Sequence, residues 1–326
     1  MHPLLQRQYR ESASLLPGYL RAIFGSIVVA SILSLAAGCD KRDTNRPRGP
    51  LPTSLANKPR ALFFVFGDRT DPRVLPVATL HEGRITPIRL DGDGWRTFDK
   101  LYFGADSKLP VYEDGVQLGD AIIRRGMWDG NDALYKLPGC KSPRPLAAAT
   151  LSGVPSPDDV LELLATSAPL VTPGTRPLPT KADSDSASAF VTRIAQHEGF
   201  TTAARGELDE VLKVLPAGAT THPTIVGSFM ERGSGVTGKP RHLFVVGDWS
   251  DTTKGYVQSF THVPGDSARE FRRLIDHADL TGDGVDELVL EGWQNGGGSY
   301  LIFLRYQLGH WREVARGATS WCADKN

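Results

Sequence analysis

Two stretches of this 326-residue chain resemble each other, KPRALFFVFGDRTD at 58–71 and KPRHLFVVGDWSD at 239–251, and they constrain the fold more than any other feature. With a one-residue gap in the apolar run, they align without interruption from Gly67 and Gly247 through Asp68 and Asp248 to Val77 and Val257. In each, an apolar run of strand length leads into a polar turn bounded by aspartates. A partly alternating second strand follows, VLPVATL in one and YVQSFTH in the other. The pattern predicts two hairpins. Read as a true repeat it implies two related β-rich lobes; convergent hairpin chemistry is the other reading of so short a match. Composition agrees with short strands and many turns, since 34 glycines and 23 prolines make up about 17% of the chain against a usual ~12%.

Between the two copies the pattern changes. SPDDVLELLATS (156–167) has the signals of a short helix: Ser156 as N-cap, Pro157 in the first turn, and Asp158 and Asp159 at the positive helix start. APLVTPGTRPLPTKADSDS (168–186) is rich in Pro and Ser and reads as a linker or long surface loop. ASAFVTRIAQHEGF then has helical spacing at Phe190 and Ile194 and stops at Gly199. ELDEVLKVL (207–215) suits a second short helix or the approach to a strand. The expected fold is therefore α+β and β-rich, with two antiparallel-sheet lobes and a few short helices between them. One lobe covers 60–150, the helix and linker 151–186, and a C-terminal α+β lobe 187–326.

The N-terminus has a separate logic. Arg7, Arg10 and Arg21 precede an uncharged apolar run, AIFGSIVVASILSLAA (22–37), which ends in Gly38 and Cys39. Basic residues, a short apolar core and small residues form a secretory signal pattern, and ~16 residues fall short of the ~20 a membrane-spanning helix needs. An uncleaved membrane anchor is the other reading. The ending LAAGC resembles the lipobox of bacterial lipoproteins, which implies a signal peptide at 1–38 and lipidation of Cys39. Two or more acyl chains make a stable anchor where one is marginal. Residues 39–59 are polar, Pro-containing and aperiodic, a flexible tether of about 25 Å end to end. The implied location is the bacterial cell envelope, with the chain held to a membrane by lipid. Formal charge is zero, with 37 basic and 37 acidic residues. Loss of the signal removes three arginines and one glutamate and leaves −2. Such a balance excludes a nucleic-acid binder, which needs a basic excess for the phosphates.

With Cys39 assigned to lipid, Cys140 and Cys322 remain. In an oxidising compartment they suggest one disulfide, or else two separate buried thiols. Neither a CxxC pair nor a zinc-like Cys/His spacing occurs.

DLTGDGVDELVL (279–290) carries the sharpest chemical signal. Asp279, Thr281 and Asp283 alternate, Gly284 permits a sharp turn, and Glu287 opens an apolar strand. Alternating side-chain oxygens, a backbone carbonyl and a closing carboxylate are what a hard cation requires. The segment resembles the calcium loop of FG-GAP/VCBS-type repeats, known from β-propeller blades. That resemblance implies Ca²⁺ held by Asp279, Thr281, Asp283, the Val285 carbonyl and Glu287, in a structural role. Thr281 stands where the family more often has Asn or Asp, and Glu287 where it has Asp. A metal-free hairpin turn stabilised by Asx bonds and glycine is the alternative. A complete propeller is excluded by counting, because blades need ~40–60 residues each and one such loop occurs. DGDG at 91–94 lacks the leading Asp and reads as a turn.

Other motifs fall away. GSGVTGK (233–239) has P-loop spacing, but Pro240 replaces the Ser/Thr that ligates Mg²⁺, so no nucleotide is expected. FVFGDRTD resembles the first block of GDSL-type esterases, yet Arg69, and Trp249 in the second copy, occupy the nucleophile's place. The histidines are dispersed, and His277 beside Asp276 reads as structural. Trp128 and Trp293, each followed by a glycine-containing polar loop, are candidates for a ligand face. The expected function is a non-enzymatic envelope protein that binds another envelope protein or a glycan, or supports structure. The runner-up is an extracytoplasmic hydrolase acting on glycan or peptide through carboxylates.

Overall fold

A computed structural model describes residues 58–88, 92–126, 146–155, 160–171, 174–200, 208–231, 241–264, 270–294 and 299–317. Cys39, Trp128, Cys140 and Cys322 lie outside them, as do the signal and most of the tether.

The first apolar run, Arg60–Asp68 (β1), is continuous because both of its faces are buried. Ala61, Phe63 and Val65 point into one core, while Leu62 and Phe64 point into another. β1 pairs antiparallel with Arg73–His81 (β2), and Arg84–Pro87 (β3) extends that hairpin. Four further strands complete the sheet: Lys108–Glu113 (β4), Val116–Arg125 (β5), Ala147–Ser152 (β6) and Val160–Thr166 (β7). Their order is β1-β7-β4-β5-β6-β2-β3, and the β1–β2 pairing closes six of them into a barrel. Closure leaves these six strands without a free edge.

A helix at Gly92–Tyr102 (α1) fills the barrel core. Phe98 and Tyr102, one turn apart, join Phe103 against Phe63, with Phe98 edge-on to it at 6.1 Å. Of the turn expected at 91–94, the described residues 92–94 instead start this helix, because aromatic side chains at i and i+4 have a core to enter. The Tyr102 hydroxyl donates to the Pro59 carbonyl at 2.6 Å, which pins the chain where it enters β1.

The segment expected as a helix at 156–167 is strand β7 over its described part. Leu161, Leu163 and Ala165 face the barrel interior, Leu164 faces outward, and the strand pairs with β1 and β4. Leu, Glu and Ala favour helix in isolation, but a period of two and two waiting partners override that preference. A helix does follow at Lys181–His197 (α2), ending before Gly199 at φ +83°. It starts inside the stretch expected as linker. Thr180 and Asp183 form a capping box there, so the Ser/Asp-rich composition marks a helix start.

Beyond α2, two four-stranded antiparallel sheets form. Leu208–Leu215 (β8), Thr224–Glu231 (β9), His242–Ser250 (β10) and Gly255–His262 (β11) make one, in the order β11-β10-β9-β8. Glu270–Ala278 (β12), Glu287–Gln294 (β13), Ser299–Gln307 (β14) and His310–Arg316 (β15) make the other, in sequence order. ELDEVLKVL, open between helix and strand, is β8 over its described residues 208–215, which pair with β9.

The layers stack in a definite order. The outer wall of the barrel (Leu62, Phe64, Leu75, Val77) packs on the β12–β15 sheet through Val289, Leu301 and Phe303. That sheet's opposite face, Leu288, Leu290, Ile302 and Leu304, packs on Val226, Phe244 and Val246 of the β8–β11 sheet. The far side of the β8–β11 sheet takes α2 through Phe190, Val191 and Ala195. α2 approaches closely because two strand positions are glycine. A Cβ on Gly247 would lie 2.4 Å from the Phe190 ring, and one on Gly227 would lie 2.8 Å from Val191. The molecule is thus β-rich with antiparallel sheets and a closed six-stranded barrel, and it is not a propeller.

Both similar stretches are strand–turn–strand, but their turns fall at different places. In the first, Asp68 ends β1 and caps the turn, accepting from the N–H groups of Thr70 and Asp71, both at 2.9 Å. In the second the strand runs on to Ser250, so Asp248 lies inside β10, opposite Val257 and 2% exposed.

Candidate functional site

The loop between β12 and β13 spans Asp279–Asp286 and closes on Glu287. Gly282 and Gly284 have φ of +77° and +89°, while no atom lies within 4 Å of where their Cβ would be. Left-handed backbone, rather than space, demands glycine there. The Asp279 carboxylate folds inward. Its Oδ1 accepts from the N–H of Gly282 (2.7 Å) and Asp283 (3.1 Å), and its Oδ2 from Gly284 (2.9 Å). Glu287, fully buried, accepts from the N–H groups of Leu280 (2.9 Å) and Thr281 (3.2 Å) and from the Thr281 hydroxyl (2.9 Å). Burial pushes this carboxyl up to about 7, against the lowering effect of the Thr281 bond.

Two guanidinium groups flank the loop. Arg305 of β14 donates to Asp283 Oδ2 at 2.7 Å and to the Gly83 carbonyl of the β2–β3 turn at 2.9 Å, and its Nε lies 3.5 Å from Glu287. Partial burial acts to raise Asp283, but Arg305 and the Val285 N–H outweigh it and hold the carboxyl below its usual range. Arg176 donates to the Gly284 carbonyl (2.8 Å) and the Pro216 carbonyl (3.1 Å) and pairs with Asp286 at 2.5 Å.

Beneath the loop, His277 Nδ1 lies 2.6 Å from Asp286 Oδ2, with both side chains 2% exposed. Asp276 Oδ1 accepts from the His277 N–H at 2.7 Å. Among the described residues, Asp276 Oδ2, His277 Nε2, Asp286 Oδ1 and Arg176 Nε are buried without a hydrogen-bond partner. Burial lifts Asp276 to about 7; His277 acts to lower it, and the Asp114 charge adds to the rise while the Asp114 N–H opposes it. A histidine–carboxylate pair of this length has the geometry of a general base, and here both side chains are buried.

A second polar cluster closes the far end of the two sheets. Glu270 bonds to the Tyr300 hydroxyl and to Arg316, and accepts from Arg272 Nε at 2.6 Å. Burial opposes ionisation, yet the Arg316 and Tyr300 bonds and the Arg272 charge hold Glu270 at about 2. Burial likewise pushes His242 down to about 3, so it is neutral. Its Nδ1 lies 2.9 Å from the Phe229 carbonyl and its Nε2 accepts from the Arg272 N–H at 2.9 Å. Trp293 stacks on Phe271 beside this cluster at 5.6 Å, half-buried rather than presenting a bare ring. Between the sheets, Asp248 accepts from the Thr224 and Ser259 hydroxyls and from Trp311 Nε1 at 2.7 Å.

The structure brings Asp279, Thr281, Asp283 and Glu287 into one loop. Whether that loop suits Ca²⁺ turns on its free oxygens. Every carboxylate oxygen of Asp279 and Glu287 already accepts a hydrogen bond, Thr281 spends its hydroxyl proton on Glu287, and a guanidinium sits on Asp283. Among the described residues no group of three His, Cys, Asp or Glu side chains converges as a metal site. So arranged, with most lone pairs engaged and Arg305 alongside, the residues fit Ca²⁺ poorly. Sequence reading missed Arg305 and Arg176. Neither had a signal in the sequence: Arg305 is placed by the β13–β14 register, in which Leu288 pairs with Leu304 and one further rung sets Glu287 opposite Arg305, and Arg176 comes from a Pro-rich stretch far along the chain.

Compared with known proteins, the chain matches no family model, no curated protein and no solved structure.

Proposed function

We propose that this protein is a lipid-anchored component of the bacterial cell envelope that acts by binding or structural support rather than catalysis, its partner another envelope protein or a glycan. The barrel with α1 would form one lobe and the paired sheets with α2 the other. The observation that carries this reading is where the ionisable groups go. Asp248, Asp276, His277, Asp286 and Glu287 are 0–2% exposed, at the places where strands and layers meet. Groups so placed fasten layers to one another, whereas a catalytic group must reach substrate. The anchor rests on the apolar run at 22–37 and Cys39.

Metabolic labelling with a palmitate analogue tests the anchor. Label is expected in the wild-type chain and absent from Cys39→Ala; label persisting in the variant overturns it. For the non-catalytic half, purified protein is incubated with cell-wall glycan and peptide fragments and the products are followed by mass spectrometry. No new fragments are expected, and sustained turnover would sink this half.

A further inference from the structure

Positions 279–287 have the residue order of a calcium loop, yet a permanent cation from the same chain already sits on them. We propose that the Arg305 guanidinium takes the place of the metal, making the Asp279–Glu287 loop a calcium-independent latch that fastens the β12–β15 sheet to the barrel. Ca²⁺ takes 6–8 oxygens at 2.3–2.6 Å. Few lone pairs are left to supply them: Asp279 Oδ1 and Glu287 Oε2 each already accept two N–H groups, while Asp279 Oδ2 accepts one N–H and Glu287 Oε1 the Thr281 hydroxyl. Arg305 would also have to leave, since a guanidinium 2.7 Å from Asp283 and 3.5 Å from Glu287 repels a divalent ion competing for those oxygens.

The planar guanidinium does what a spherical ion does not. One arm holds the loop through Asp283, and the other reaches the Gly83 carbonyl in the barrel's β2–β3 turn. Its charge does not depend on pH or on a supply of metal. Hairpin register keeps it in place, because Arg305 follows Leu304, which pairs with Leu288. Arg176 fastens the loop's other shoulder through Gly284 and Asp286. The loop thereby joins the barrel, its own sheet and the segment before α2 with no ion. This goes beyond the envelope function proposed above and does not depend on it.

The test uses the full mature chain with Ca²⁺ alone as probe. Thermal melts in millimolar CaCl₂ and in chelator are expected to coincide for the wild type, and calorimetric titration with CaCl₂ to show no binding heat. Arg305→Gln is expected to melt several degrees lower in chelator and to regain part of the loss in CaCl₂, because the carboxylates now lack a cation. Calcium-dependent melting of the wild type overturns the proposal. So does an Arg305→Gln protein as stable as wild type in chelator, or one that is weakened but indifferent to calcium. Should Arg305→Gln not fold, Arg305→Lys keeps the charge without the fork. It is expected to melt between wild type in chelator and the unfolded variant, and wild-type stability in Arg305→Lys counts against the latch.

Discussion

Single residues carry two kinds of information in this fold: how near the layers come, and what charge is buried between them. Gly247 belongs to the first kind. Gly247→Ala would drive a Cβ to 2.4 Å from the Phe190 ring, which is itself buried and has nowhere to go. Overpacking of this sort costs about 1–3 kcal/mol, and urea denaturation is expected to show that loss. A Gly247→Ala protein as stable as wild type would mean that α2 is not seated as described. Asp276 belongs to the second kind. Its carboxyl, raised to about 7 by burial against the lowering effect of His277, titrates near 4 once the chain unfolds. Between those values the folded chain binds more protons, so stability contributed here falls as pH climbs from about 4 to about 7. Asp276→Asn removes that slope. The melting-temperature difference, variant minus wild type, is expected to grow across the window, and a constant difference would refute the assignment. Neither role was legible in the sequence. A glycine in an apolar run does not say which helix will cover it, and an aspartate does not announce its burial.

At the scale of elements, local chemistry and tertiary pairing contended, and each won somewhere. Hairpins β1–β2 and β10–β11 followed from apolar runs flanking polar turns, and the structure has both. Where each turn falls was not legible, because Gly-Asp suits a turn end and also, when Thr224, Ser259 and Trp311 supply donors, a buried strand position. In α2 local chemistry prevailed. The Thr180 hydroxyl accepts from the Asp183 N–H at 3.2 Å, and the Asp183 carboxylate accepts from the Thr180 N–H at 2.9 Å. Tyr256 of β11 donates to the same carboxylate at 3.2 Å, tying the helix start to the sheet. Thr180→Ala is expected to cost about 1 kcal/mol in chemical denaturation, and no loss would remove the cap from the account. In β7 tertiary pairing prevailed. Its inward Leu161, Leu163 and Ala165 repeat every two residues, but in so short a segment that signal competes with the helix-start residues before it.

Taken whole, the molecule is a stack in which the β12–β15 sheet is covered on both faces, by the barrel and by the β8–β11 sheet. Phe303, fully buried, sits where the barrel meets that sheet. Phe303→Ala is expected to cost about 3–5 kcal/mol and to weaken barrel and sheets together. Urea transitions followed by tryptophan fluorescence and by far-UV circular dichroism should therefore shift by the same amount. Transitions that separate would show that the layers unfold independently. The sequence by itself determined that the chain is β-rich, that two apolar runs each open a hairpin, that α2 ends at Gly199, and that Asp279–Glu287 is a tight glycine-dependent loop. These are matters of periodicity and backbone geometry, which act over a few residues. Only the tertiary structure decided that six strands close into a barrel, that SPDDVLELLATS ends as a strand, and that Arg305 and Arg176 reach the loop. Those outcomes depend on groups tens to hundreds of residues apart meeting in one place, Arg305 and Gly83 above all, and no local pattern encodes which distant partner arrives.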